Sequence, residues 1–391
     1  MSLLVWTNWS GKLVATPLEI AEPHSEGDVV EIVRRSSGSK IRCVGAGHSH
    51  APLVVTDGIV LDTSALVGVM EIDLQRREAL IGAGARISSI GEPLRKAGLA
   101  LKNQGDIDRQ SIAGAVCTGT HGTGPSLQNL SASVVGVRVV LADGSTLDCG
   151  PDCEPELFEV ARLSLGAVGV VTRVRLSLRD PYKLEEKMWL EDLDAVLDRI
   201  DELSAATRHF EFFWMPGMPR AACKSLAETD AEPRYPLAAE GSRLAWSYDV
   251  LANERNDKHS EMEYSVPAEH GPECLRALRD LIATEFPDLA WPLEFRTLAA
   301  DSVWLSSAYR RPTVTISVHQ GVGLDDEPLF RCCEEVFLRY HGRPHWGKVH
   351  YLGGGRLAAI HERWSDWWRV RDHYDPQRRF VNRYLEGLFG G

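Results

Sequence analysis

The sequence predicts an α+β protein of two units, one over about residues 1–180 and one over 181–391. Three observations predict it. The chain of 391 residues is long enough for two cores. Its first part alternates short apolar strands with helical segments across glycine-rich turns. Its second part groups several strands with longer amphipathic helices, the pattern of an antiparallel sheet covered by helices. Arg179-Asp180-Pro181 supplies a breaker between the two.

The elements follow in order. Ser25-Glu26-Gly27-Asp28 has the form of a capping box ahead of Val29, Val30, Ile32 and Val33, so a helix starts there. Residues 40–44 predict a strand entering a glycine turn, with further strands at 59–62 and 79–81. Residues 86–97 predict a helix closed by Gly98. Strands at 134–141 and 145–149 flank Ala142-Asp143-Gly144, a hairpin signal. A helix over 155–165 and an alternating strand over 168–178 complete the first unit. In the second, 190–206 has helical periodicity. Strands are predicted near 210–214, 262–266, 294–298 and 313–318, and helices near 272–285 and 327–340. The apolar-periodic tail, 375–389, is expected to pack back on the first unit.

Charge and composition remove several functions. A formal net charge of -12 repels phosphate backbones and anionic lipid surfaces, so neither a nucleic acid nor a membrane is an expected partner. No apolar run reaches the ~18 residues of a spanning helix. The stretch from Met1 to Trp6 has no basic region, long apolar region or cleavage signal, so a cytoplasmic location is expected. The eight cysteines form no C-x-x-C pair, which suits free thiols in a reducing compartment.

Three small-residue segments carry the chemistry. Val44-Gly45-Ala46-Gly47-His48-Ser49 lies where a strand turns, and consecutive N–H groups in such a turn form an anion nest suited to a pyrophosphate. His50 stands where the third glycine of a dinucleotide fingerprint belongs, and 82–87 fails the same test, so a nicotinamide site is poorly supported. The stretch from Gly105 and Asp106 through Ser111 to Gly124 is too poor in large side chains to fill its own core, which suits close approach to a bulky ligand. Leu165-Gly166-Ala167-Val168-Gly169 has the same character.

Taken together, these segments resemble the FAD domain of the vanillyl-alcohol oxidase superfamily. Gly342-Arg343-Pro344-His345-Trp346-Gly347-Lys348 resembles the signature of its sugar-lactone and alditol oxidase branch. So do Trp6-x-Asn8-Trp9, Glu294-Phe295-Arg296 and Phe380-Val381-Asn382-x-Tyr384-Leu385-Glu386. The likeness runs nearly the whole chain in order. It implies a two-domain flavoprotein that binds FAD, with an FAD domain over 1–180 and a substrate domain over 181–391. It further implies a sugar lactone or polyol substrate and oxygen or another electron acceptor. Oxidation of an aldono-1,4-lactone at C2 is the first expectation, L-gulono-1,4-lactone before others. A linear polyol such as xylitol is the alternative, and a flavin-binding protein without enzymatic activity is the remote one. Two departures are visible. Residues 225–261 are polar where a membrane-bound form would carry an apolar insertion, and His50 follows His-Ser where the animal lactone oxidases have another residue.

The resemblance also assigns residues. Val44, Gly45, Ala46, Gly47, His48, Ser49, Gly105, Asp106, Ser111, Gly114, Cys117, Thr118, Gly119, His121, Gly122, Gly169 and Val170 are expected around FAD, with His48 tethered to the flavin. Glu294 and Arg296 alternate on one strand and therefore face one side; as an isolated pair they would be a surface ion pair of little consequence. The resemblance moves them, with His345 and Lys348, beside the flavin. Lys348 is expected to be partly neutral, its pKa lowered by Arg296, and to accept the substrate proton. Ser317 and His319 are weaker candidates. His341, His345 and His350 superficially suggest a metal site, but Pro344 intervenes and no H-E-x-x-H pattern exists, so no metal and no hydrolase is expected.

Overall fold

The polar and apolar residues of the second half alternate along strands, and their pairing sorts them onto two faces of one sheet. The computed structural model describes residues 4–254 and 256–389; Met1 to Leu3, part of the N-terminal segment read above, lie outside it. An eight-stranded antiparallel sheet runs in the order Leu244–Trp246, Lys183–Asp192, Arg220–Thr229, His209–Trp214, Leu293–Leu298, Thr313–Gly321, His259–Pro267 and Arg343–Pro344. On one face Phe210, Phe212, Phe295, Met262, Tyr264, Val314, Ile316 and Val318 are buried together with Leu275 and Leu278 of the helix Gly271–Glu285 and Phe330 and Phe337 of the helix Glu327–Arg339. Phe212 stacks on Phe295 at 4.8 Å between centroids, and Tyr264 on Phe337 at 4.9 Å. The other face collects Glu211, Glu261, Glu263, Glu294, Arg296, Ser317 and His319, all buried. Register aligns them: Glu211 opposes Arg296, Glu294 and Glu263 both oppose Ser317, and Glu261 opposes His319. Burying that many charges is costly unless they pair.

The first half carries a three-stranded parallel sheet of Glu19–Ala21, Ile59–Asp62 and Ile41–Val44, and a five-stranded antiparallel sheet. The predicted first helix forms over Glu26–Arg35 with its capping box intact. The tail returns to this half: Ile41 N–H donates to Arg379 O at 2.8 Å, Asn382 Nδ2 donates to Pro52 O and Val55 O, and Phe380 joins Val29, Ile41 and Leu61 in a core.

One stretch differs from its sequence reading. Residues 190–206 are not one helix. The strand Lys183–Asp192 continues to its end, then two short helices follow, Leu193–Asp198 and Ile200–Ala206. Ten register pairs with Arg220–Thr229, a strand of weak β-propensity that the pattern missed, outweigh local preference. Among the described residues no helix is long and apolar enough to cross a membrane.

Candidate active site

The turn after the strand Ile41–Val44 opens on a cavity. Val44, Gly45, Ala46, Gly47, His48 and Ser49 line it. Opposite stand Ser111, Gly114, Cys117 and Thr118, with Gly169 and Val171 at its side. A Cβ on Gly45 would sit 1.9 Å from Ser111 Oγ, so only glycine lets the two loops close on each other. Gly47 has φ +66°, the left-handed region. Among the described residues, no N–H from Gly45 to Ser49 finds an acceptor within the chain. Five successive donors on a glycine turn suit the pyrophosphate of FAD. Arg42, fully buried at the same wall, is held by the carbonyls of Leu53, Leu165, Gly166 and Phe380, tying this loop to the tail; burial lowers its pKa to about 10.

A second cavity lies over the polar face of the eight-stranded sheet. Leu190, Phe213, Met215, Met218 and Trp291 give it an apolar side, and Asp106, His259, Glu261, Glu294, Arg296 and His319 a polar one. Lys348 lines both cavities. Its ammonium pairs with Glu261. Arg296 Nε donates to Glu211 Oε2 at 3.1 Å, its Nη2 lies 3.3 Å from Asp106 Oδ1, and it pairs with Glu294. Beneath them, Glu263 accepts from Ser317 Oγ at 2.9 Å and lies 2.8 Å from His121 Nε2, whose Nδ1 donates to Gly122 O at 2.8 Å.

This geometry, a nest of backbone donors joined to a polar pocket by one lysine, agrees with comparisons of the whole chain. Residues 17–150 match the FAD-binding domain family, and residues 174–246 and 234–388 match the D-arabinono-1,4-lactone oxidase family. The chain belongs to the D-arabinono-1,4-lactone oxidase family of FAD-dependent oxidoreductases. It is 34% identical to L-gulono-1,4-lactone dehydrogenase of Mycobacterium tuberculosis and 30% identical to alditol oxidase of a Streptomyces species, covering 99% and 98% of this chain and 99% of each relative. Its fold matches that of cholesterol oxidase from B. sterolicum, with a TM-score of 0.86, 16% identity and coverage of 99% of this chain and 97% of that one.

Within this family member, several residues sit elsewhere than the sequence suggested. Val170 does not face the cavity; Val171 does, because successive residues of the strand Val170–Ser177 point to opposite faces. Gly119 closes the helix Ile112–Thr118 in the left-handed conformation, φ 75°. His121 turns toward Glu263, and Gly122 is packed so closely that a Cβ would meet Gln104 O at 2.2 Å. Gly105 and Asp106 also lie outside the first cavity; Asp106 belongs to Arg296 and the second one. His345 and Lys348 reach the first cavity, and Glu294 and Arg296 only the second. Among the described residues His341, His345 and His350 form no shared donor group: His341 is exposed and the other two are buried apart.

The sharpest correction concerns Lys348. Burial alone would lower its pKa, but Glu261, Glu263 and Glu294 raise it above the usual lysine value. That direction favours the ammonium over the free amine, the opposite of the sequence expectation. Burial likewise opposes the charge on Arg296, yet Glu294, Asp106 and Glu211 hold its pKa well above normal. The histidines go the other way. Burial, then Lys348 and Arg86, push His48 down to about 4; burial pushes His345 to about 4 and lowers His319. Neutral His345 accepts from Gly347 N–H at Nδ1, so its proton lies on Nε2 and it is a donor. His319 is the reverse: Nδ1 donates to Pro292 O at 2.8 Å, leaving a lone pair on Nε2 at the wall of the second cavity. Glu261, Glu263 and His259 were missed in the sequence. Their signal was present, since His259, Glu261 and Glu263 alternate with Ser260, Met262 and Tyr264 along one strand.

Proposed function

We propose that the chain oxidises an aldono-1,4-lactone at C2, L-gulono-1,4-lactone first among them, giving a 2-keto lactone that enolises to an ascorbate-type product. The observation that carries this reading is Lys348, among the described residues the one charged side chain common to the walls of both cavities. FAD bound in the first cavity supplies the hydride acceptor. The chain's own groups do the rest. Lys348 donates to the substrate oxygen and stabilises the charge that develops there as the proton leaves. Arg296, held by three carboxylates, points a fixed positive charge at the lactone carbonyl. Glu294 and Asp106 accept from vicinal hydroxyls. His319 Nε2 takes the hydroxyl proton. The same reading includes a boundary near residue 180 between an FAD unit and a substrate unit, a cytoplasmic location, and oxygen or another electron acceptor.

The substrate assignment is tested by comparing kcat/KM for L-gulono-1,4-lactone, D-arabinono-1,4-lactone and xylitol, because that ratio measures differential transition-state binding. A lactone is expected to lead; xylitol ~10-fold above both lactones would replace the lactone reading with the alditol one.

His48 is the proposed tether to the flavin 8α carbon. Its ring is kept neutral, hence nucleophilic, and stacks on Trp9 at 5.2 Å between centroids. Acid-precipitated wild-type protein is expected to stay yellow, and His48→Ala to release its flavin. Flavin that washes from the wild type would remove the tether.

The role of His319 gives a pH dependence. Its imidazole must be neutral to accept a proton, and burial lowers its pKa below the ordinary histidine range. Flavin reduction should therefore be at its plateau around neutrality and fall as pH drops through that lowered value. His319→Gln should reduce the plateau ~100-fold, the usual scale for a general base, and abolish the acid limb. An acid limb that survives His319→Gln assigns the proton to another group.

A further inference from the structure

One carboxylate on the polar face of the eight-stranded sheet is ringed by imidazoles. Glu261 Oε2 lies 3.8 Å from His50 Nε2 and 3.7 Å from His259 Nε2, and Glu261 Oε1 lies 3.7 Å from His319 Nε2. These separations exceed hydrogen-bond length. Two rings are fixed through their far nitrogen: His259 Nδ1 donates to Asp257 O at 2.9 Å and His319 Nδ1 to Pro292 O at 2.8 Å. Each ring thereby turns its Nε2 toward Glu261 and, when neutral, presents that nitrogen as the free ligand atom, the anchoring by which ligating histidines are oriented in metal sites. His50 is 8% exposed, and its Nδ1 is buried with no hydrogen-bond partner among the described residues, so the chain alone does not satisfy this ring. The donor atoms of His50, His259 and Glu261 all lie within 4.8 Å of one another. Donors on a tetrahedral zinc ion stand about 3.4 Å apart, given bonds of ~2.0–2.1 Å. A contraction of a few tenths of an ångström would bring the 3.7 and 3.8 Å pairs to that spacing. Sequence spacing could not reveal this group, because residue 50 meets residues 259 and 261 only in the fold.

We propose that His50, His259 and Glu261 form a divalent transition-metal site, suited to Zn²⁺, whose occupation displaces Lys348 from Glu261 and shuts off the oxidation. Imidazole and carboxylate donors suit Zn²⁺ or Cu²⁺ rather than Mg²⁺ or Ca²⁺. Lys348 and the ion compete for the same oxygen, Glu261 Oε2. His319, facing the other oxygen, is a reserve donor. The binding half of the proposal stands on this geometry alone; the inhibitory half rests on the catalytic reading of Lys348 given above.

The test is a Zn²⁺ titration of metal-stripped holoenzyme against a chromophoric chelator, read beside the rate of flavin reduction. One equivalent is expected to bind and to stop flavin reduction, with chelator restoring it. His259→Gln and His50→Ala should each weaken binding at least about 10-fold, the scale for disturbing a metal site, while keeping the flavin spectrum of the folded enzyme. Lys348→Met should tighten Zn²⁺ binding roughly 10-fold, within the usual range for two groups coupled through one site. An adventitious surface site would ignore that change. No stoichiometric binding, or binding that all three variants leave unchanged, overturns the site. Binding that leaves flavin reduction untouched overturns the displacement of Lys348. If no sugar reduces the flavin at all, the titration still reads the site by itself.

Discussion

Arg296→Ala is expected to slow flavin reduction by ~100- to 1,000-fold, the loss seen when a preorganised charge stabiliser is removed. The guanidinium is buried, paired with Glu294, and within 3.1 and 3.3 Å of Glu211 and Asp106. Those carboxylates pin it in one orientation, so its field acts on the substrate without reorganising. Removing it also leaves buried acids without their cation, which can cost ~3–5 kcal/mol of stability. Flavin content and the thermal midpoint must therefore be measured on the same preparation. Arg296→Lys is the companion variant: it keeps the charge, loses the planar fork, and should recover only part of the rate. A rate within about threefold of wild type in folded Arg296→Ala would remove this residue from the chemistry.

Lys348→Met should cost ~100-fold in flavin reduction while the bound flavin is retained. The side chain keeps its length and loses its charge. Held as a cation, Lys348 should give the wild type no alkaline rise in rate. A lysine acting as base would produce one, with the rate climbing as the ammonium loses its proton. The raised pKa under Glu261, Glu263 and Glu294 favours the cation. An alkaline rise in the wild type that vanishes in Lys348→Met would restore the base role.

What could be read in the sequence was local. The glycine turn at Gly45–Gly47, the capping box at Ser25 and the hairpin at Asp143-Gly144 each need only neighbouring residues, and each forms where the pattern put it. The i, i+2 spacing of Glu294 and Arg296 correctly put both on one face. Properties set by distant strands were not legible. Lys183–Asp192 reads as helical toward its end until Arg220–Thr229 pairs with it. The charge on Lys348 could not be judged without Glu261 and Glu263, which reach it from a strand more than eighty residues earlier. His121 sits in a glycine-rich stretch that reads as cofactor loop, yet its ring serves a carboxylate of the other half of the chain.

The central claim is that the two cavities joined at Lys348 are one active site for a sugar lactone. Anaerobic mixing of the purified holoenzyme with L-gulono-1,4-lactone, followed at the flavin absorbance, tests it most directly, because reduction is then separated from reoxidation by any acceptor. Complete bleaching in wild type, slowed ~100-fold or more in both Arg296→Ala and Lys348→Met, is the expected result. Flavin that stays oxidised with L-gulono-1,4-lactone and D-arabinono-1,4-lactone alike, or bleaching that both variants leave at the wild-type rate, would contradict it.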